Sequence, residues 1–303
     1  MEMPEIKIGR VETKSIMTKA NTPIGGYSVN PYVGCPHGCK YCYASFMKRF
    51  TGHTEEWGTF MDVKNWPVIK DPKKYAGQKV NIGTVTDGYN PLEEKYKNTR
   101  RLLKELKNSG ADLLICTKSD LVLRDMDLLL EMNRNNLLTV SWSVNTLDED
   151  FKNDMDAAVS IERRLSAMKQ VYDAGIRTVC FISPVFPGIT DFEAIFERVK
   201  DQCDLVWLEN LNLRGGFKAS IMNYIAEKHP DLIPLYDEIY NQKKRGYFES
   251  LEKNAEALAD KNNCRFVDNE MPYERVPKGH PTIVDYFYHE EVRGTANSGK
   301  RNK

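Results

Sequence analysis

Residues 27–43 read YSVNPYVGCPHGCKYCY, a Tyr- and Val-rich stretch that runs straight into Cys35-x3-Cys39-x2-Cys42. The first eight residues have the composition of a buried strand. The cysteines therefore occupy a loop at a strand's carboxyl end, and Gly34 and Gly38 let its backbone wrap closely around what the cysteines hold. The same rhythm recurs downstream. VNIGTV (80–85), DLLICT (112–117), LLTVSWSV (137–144), RTVCFIS (177–183) and DLVWLENL (204–211) each read as a short buried strand. Between them stand helical candidates: KYCYASFMKRF (40–50), EEKYKNTRRLLKELKNSG (93–110), RDMDLLLEMNRN (124–135), SIERRLSAMKQVYDAG (160–175) and DFEAIFERVKD (191–201). Two of them end in Gly, a helix stop.

Strands alternating with helices predict right-handed crossovers and a parallel sheet, so the fold class is α/β. Six units predict a partial (β/α)6 barrel rather than eight-fold closure. After Arg214-Gly215-Gly216 the rhythm stops. Residues 217–263 predict two or three helices, broken near Pro230, Pro234 and Gly246, followed by a short strand at CRFVD (264–268). The expected division is an arm over 1–26, a core over 27–215, a mainly helical extension over 216–292 and a disordered basic tail over 293–303.

The chain has 303 residues, with 43 Lys plus Arg against 43 Asp plus Glu. Zero net charge excludes a globally basic nucleic-acid binder and leaves only local patches, KKR at 243–245 and GKRNK at 299–303. Seven cysteines, three of them within eight residues, argue against a disulfide framework and for a metal site in a reducing compartment. No apolar run has the length of a membrane span and no signal core follows Met1, so a cytoplasmic protein is expected.

Three thiolates on one loop leave one iron of a cubane without a protein ligand, free to chelate the amino and carboxylate groups of a small molecule. The competing reading is a zinc knuckle completed by His37 or His53. Zinc knuckles normally carry a second paired half-motif, and the sequence has none.

At these residues the chain resembles the radical S-adenosylmethionine (SAM) superfamily. TVTDGYNPLE (84–93), CTKSDLVLRDMDLL (116–129), SVNTLD (143–148), RRLSAMKQVYDAGI (163–176) and SPVFPGITD (183–191) resemble its spore photoproduct lyase-like group, over roughly residues 27–215. MDAAVS (155–160) departs from that group, which has an acidic-proline turn there. LENLNLRGGFKASIMNYIAEKHP (208–230) is similar to uncharacterised radical SAM proteins of mobile gene pairs, which implies a partner protein.

The resemblance implies a [4Fe-4S] cluster on Cys35, Cys39 and Cys42, with SAM bound to it. It implies an electron donor such as flavodoxin or ferredoxin, a 5′-deoxyadenosyl radical, and hydrogen abstraction from a substrate. Thr84, Thr86 and Asp87 would meet the SAM amine, although Asp87-Gly88 is also a turn signal. Lys118, beside Ser119, would pair with the SAM carboxylate as a point charge. Ser143 and Asn145 would hold the ribose. Arg164 would reach the carboxylate, with Arg163 equally available beside it, while Arg124 and Asp125 read as a structural ion pair. Pro187 and Ile189, with Pro184 and Gly188, would pack on adenine or simply connect strand to helix. Cys116 or Cys180 would donate hydrogen to a product radical if exposed, but packing is the default for both, as for Cys203 and Cys264. His280 and His289 receive no role.

Three functions compete. They are radical chemistry on a nucleic-acid base, the same chemistry on a peptide, protein or small molecule, and a non-catalytic metal-bound module.

Overall fold

The computed structural model describes residues 5–20, 25–213, 215–268, 272 and 276–285. Arg214, His289 and the expected tail at 293–303 lie outside the described residues. Two compact units form: Met1–Ser143 with Asp148–Val179, and Val144–Leu147 with Cys180–Lys303.

In the first unit, β1 (Tyr27–Val29), β2 (Lys79–Ile82), β3 (Asp112–Thr117) and β4 (Leu137–Ser143) lie side by side in that order, all parallel. Val80, Ile82, Leu113, Ile115, Val140 and Trp142 are almost wholly buried, as expected of parallel strands covered on both faces. α1 (Asn98–Leu106) buries the predicted Leu102, Leu103 and Leu106. Gly110 follows it with φ +70°, which a residue bearing a Cβ resists. Leu103→Ala in this interior costs roughly 2–5 kcal/mol.

α2 (Met126–Asn135) follows β3, and the short α3 (Glu149–Met155) precedes α4 (Ile161–Asp173). Ser160 caps α4 by accepting from the Arg163 N–H.

Three local expectations change. The stretch 27–34 is two strands, because Pro31 cannot donate to a ladder. Tyr32–Val33 instead joins a separate sheet in the order Lys7–Glu12, Phe60–Asn65, Tyr32–Val33. The arm is therefore not free where it is described: Lys7–Glu12 pairs in parallel with Phe60–Asn65, and Thr18–Lys19 pairs antiparallel with β1. Backbone hydrogen bonding holds residues whose side chains are mostly exposed, which apolar periodicity does not reveal. Third, the helix expected after the cysteines is a run of 3-10 turns, Tyr43–Phe50.

β5 (Arg177–Val185) begins in the first unit and passes into the second. There β6 (Leu205–Asn210) pairs in parallel with β8 (Thr282–Asp285), which also pairs with β7 (Phe266–Asp268). β8 was not expected. After α5 (Phe192–Val199), three helices follow as predicted: α6 (Phe217–Lys228), α7 (Ile233–Tyr240) and α8 (Gly246–Lys261). A 3-10 turn at Pro230–Leu232 separates the first two, and Pro234 lies in the first turn of α7. Among the described residues no helix is long and apolar enough to cross a membrane.

Candidate active site

Two tight turns present the three cysteines. The Gly38 N–H donates to the Cys35 carbonyl at 3.2 Å, and the Cys42 N–H donates to the Cys39 carbonyl at 3.0 Å. The segment 155–157 clamps this loop from one side, where Lys40 N–H bonds Met155 O and Ala157 N–H bonds His37 O, both at 2.9 Å. On another side Gly34 has φ +81°, and a Cβ there would come 2.4 Å from the Phe60 carbonyl oxygen. The loop is thus held by backbone contacts on both flanks.

Burial pushes all three thiols up, Cys35 to about 12, and the neighbouring thiols add to the rise at Cys35 and Cys39. Thiolates stable here need a cation beside them. Among the described residues, no three His, Cys, Asp or Glu side chains converge on one ion position.

The strand ends supply the next layer. Asp87, at the end of the β2 loop, is buried and accepts from Tyr89 N–H at 2.8 Å, Thr117 Oγ1 at 2.9 Å and Lys118 N–H at 2.7 Å. His37 Nδ1 lies 3.4 Å from Asp87 Oδ2, the oxygen that accepts from Lys118 N–H, and burial lowers the His37 pKa. Asp87 is therefore a turn residue, as Asp87-Gly88 signalled, and also the tie between the cysteine loop and β3. Thr86 Oγ1 donates to Gly34 O, while Thr84 Oγ1 bonds Ser28 Oγ at 2.6 Å and Thr84 O accepts from Tyr43 OH.

Lys118 differs from these. Its ammonium makes no hydrogen bond or ion pair among the described residues and sits 5.7 Å from the centre of the Tyr41 ring. Burial opposes its charge, but the fields of Cys39 and Asp156 prevail and raise its pKa. A charged group with unused donors is the expected partner for an anion.

Arg164 and Arg163 diverge. Arg163 is exposed and pairs with Asp120 at 2.7 Å. Arg164 is 1% exposed, and its guanidinium donates to Val159 O, to Ser143 O and, at 2.6 Å, to Asp156 Oδ1. Three of its five N–H donors are met within the protein, which ties α4 to the segment before it. Asp156 also accepts from Tyr41 OH at 3.2 Å and from Ala158 N–H at 3.0 Å. The MDAAVS segment thus carries the carboxylate that joins α4 to the cysteine loop. Sequence reading missed Asp156, because nothing local distinguishes it from a surface acid. Arg124 and Asp125 form the expected ion pair, at 2.8 Å, which Glu93 extends.

The remaining candidates belong to the second unit. Asn145 is buried, its carbonyl accepts from Thr190 Oγ1 at 2.8 Å, and its Nδ2 has no hydrogen-bond partner. Asn210 at the end of β6, which the sequence did not single out, is 1% exposed with both side-chain polar atoms unpartnered. Ile189 N–H closes a turn onto Phe186 O, with Pro187 and Gly188 inside it. Cys180 is sealed from solvent, with its thiol pushed up to about 12 by burial, and Cys203 is equally enclosed; Cys116, in the first unit, is half-buried.

Three thiols on one loop and a lysine with unused donors fit an iron–sulfur cluster with SAM beside it. The comparisons agree. A model of the Radical SAM superfamily matches residues 29–199. An uncharacterized protein of Methanocaldococcus jannaschii is 34% identical over 229 residues, which cover 75% of this chain and 85% of that one. A radical SAM Nalpha-GlyT isomerase of Pseudomonas phage M6 is 24% identical over 203 residues, 62% of this chain and 37% of that one. Spore photoproduct lyase complexed with dinucleoside spore photoproduct is similar in structure, with a TM-score of 0.52 at 14% identity, over 74% of this chain and 66% of the lyase. The chain thus spans about two thirds of the lyase's length, and the likeness is one of fold, the partial α/β barrel. From the cysteine loop to the helix after β5, this chain belongs to the radical SAM superfamily and is an enzyme that uses SAM and an iron–sulfur cluster.

Proposed function

We propose that the enzyme holds a [4Fe-4S] cluster through Cys35, Cys39 and Cys42 and acts on a nucleic-acid base. When bound, the cluster and SAM supply a 5′-deoxyadenosyl radical that takes hydrogen from the substrate. The observation that carries the reading is the Lys118 ammonium, which stands over the Tyr41 ring of the cysteine loop at 5.7 Å without a hydrogen bond of its own among the described residues.

In this account Lys118 holds the SAM carboxylate. The 27–215 core does the work. Asp87, Thr84 and Thr86 keep the β2 end fixed against the cysteine loop, within reach of the amine. Arg164 acts indirectly, through Asp156 and the Ser143 carbonyl. Ser143 and Asn145 serve the ribose, Pro187 and Ile189 the adenine. An electron donor such as flavodoxin or ferredoxin is the proposed reductant.

Two things support a base as substrate. Asn210 offers a buried donor and acceptor side by side, the pattern that reads a base edge, and the structurally similar lyase was seen with a dinucleoside. In the patch at 243–245, Lys244 pairs with Glu238 at 2.8 Å and Arg245 lies 3.5 Å from Glu249, which offsets part of its charge. The test is anaerobic reconstitution with SAM and dithionite, followed by a search for 5′-deoxyadenosine. Deuterium carried into that product from a labelled oligonucleotide supports the base. Deuterium from labelled peptides alone replaces it with a peptide substrate.

A further inference from the structure

The run of 3-10 turns Tyr43–Phe50 leaves the third cysteine directly, with the Ser45 N–H donating to the Cys42 carbonyl at 3.2 Å. Ala44 is its buried residue, while Tyr43, Phe46 and Phe50 are 57%, 46% and 66% exposed. No other aromatic side chain among the described residues is exposed. A lone exposed ring is ordinary, but three within eight residues make an apolar patch of the kind that marks a contact surface. Tyr43 fixes the near end, since its hydroxyl donates to the Thr84 carbonyl.

The patch is basic. Residues 40–50 carry Lys40, Lys48 and Arg49 and no Asp or Glu. The Arg49 guanidinium lies 5.4 Å from the centre of the Phe46 ring and 4.6 Å from that of Phe50. It makes no hydrogen bond or ion pair among the described residues, so the rings hold a cation whose N–H donors stay available. Lys48 Nζ donates to the Thr54 carbonyl at 3.0 Å, which leaves its charge uncompensated. The next acids along the chain are Glu55, already paired with Lys7 and His53, and Glu56.

Aromatic, Met and Arg side chains are what protein interfaces concentrate. Phosphate backbones are held instead by many cations, and three on this run of a neutral chain are few for that. The face therefore fits a protein with an apolar, acidic surface. Its place says which one. Cys42 opens the run, and Cys39 and Cys42 are partly exposed whereas Cys35 is buried. Eight residues of 3-10 turn extend about 16 Å, so a protein seated there reaches the side of the loop where its cysteines come nearest to solvent.

We propose that Tyr43–Phe50 is the docking face for the electron donor, a small flavin or iron–sulfur protein with acidic side chains around its redox centre. This rests on the cysteine loop holding the cluster. In the encounter one electron leaves the donor's centre, which is oxidised, and enters the cluster, which is reduced. No bond forms or breaks. Interfaces of this kind are small and transient, and opposite charge sets how fast they form.

The experiment compares the reconstituted full-length wild type with Arg49→Glu and with Phe46→Ser/Phe50→Ser, all three side chains being exposed. Each protein is reduced in stopped flow by dithionite, by reduced flavodoxin and by reduced ferredoxin, and bleaching of the cluster is followed. Reduction by dithionite should match the wild type in both variants. Second-order reduction by at least one carrier should slow about tenfold or more in each variant. Added salt should slow the wild type more than Arg49→Glu. Unchanged carrier rates overturn the proposal, as does a wild type that neither carrier reduces. Equal slowing with dithionite overturns it too, by making the run a structural part of the loop. Loss of binding to a labelled single-stranded oligonucleotide, with carrier rates unchanged, would give the face to nucleic acid instead. A wild type that assembles no cluster places the failure in the cluster assignment and not in the docking face.

Discussion

Arg164 and Asp156 form a buried ion pair, with 2.6 Å between guanidinium and carboxylate and each side chain 1% exposed. Tyr41, the residue before the third cysteine, bonds the other carboxylate oxygen. Removing one partner of such a pair strands the other charge, at a cost of about 3–5 kcal/mol. Asp156→Ala and Arg164→Met should each destabilise the apo chain by about that amount in urea unfolding. The double variant Asp156→Leu/Arg164→Met should recover part of the loss. Additive losses would mean that the two charges are not coupled.

Lys118→Met should leave iron and sulfide content intact and weaken SAM binding. Loss of one charge-assisted hydrogen bond, worth about 1.5–3 kcal/mol, corresponds to roughly ten- to a hundred-fold in Kd. Equilibrium binding of SAM to the oxidised, reconstituted enzyme measures it. An unchanged Kd removes Lys118 from the site.

The cysteine loop and the strand–helix rhythm were legible in the sequence because both are local. Spacing defines the loop, and short Val-, Ile- and Leu-rich runs define β2 to β6. Asp156 was illegible because its meaning lies in Tyr41, 115 residues away, and in Arg164, one turn into the next helix. Gly58 carries no local signal in the sequence, and only its approach to Gly38 shows why a glycine stands there. β8 is four residues long and wholly buried, too short for periodicity to separate strand from coil. Lys7–Glu12 is paired through its backbone, which side-chain pattern does not report.

His53 gives the pH dependence a sign. Burial alone would lower its pKa, but hydrogen bonds to Asp62 at 3.1 Å and Glu55 at 2.9 Å raise it overall. Lys7, paired with Glu55, is the other charge facing it. A raised folded pKa means that the protonated ring stabilises the fold fully below the unfolded value of about 6.5 and loses that contribution as pH rises through the folded value. Thermal melts of the apo chain from pH 6 to 9 should fall more steeply for the wild type than for His53→Gln. Parallel curves would contradict the pairing.

Asn210→Leu separates stability from function. Both polar atoms of Asn210 are buried without partners, so an apolar replacement should leave the apo chain as stable or more stable by about 1 kcal/mol. Substrate-dependent 5′-deoxyadenosine formation should drop tenfold or more, while the uncoupled formation seen without substrate persists. A destabilised variant with normal coupling would show that Asn210 serves the core alone.

The most direct measurement combines Mössbauer spectroscopy of the anaerobically reconstituted enzyme with product analysis under dithionite and SAM. The account predicts one [4Fe-4S] cluster per chain, a single iron whose signal shifts when SAM is added, and 5′-deoxyadenosine that disappears in the Cys35→Ala, Cys39→Ala and Cys42→Ala variants. One zinc per chain without sulfide, or a complete cubane that SAM neither perturbs nor is cleaved by, would contradict it.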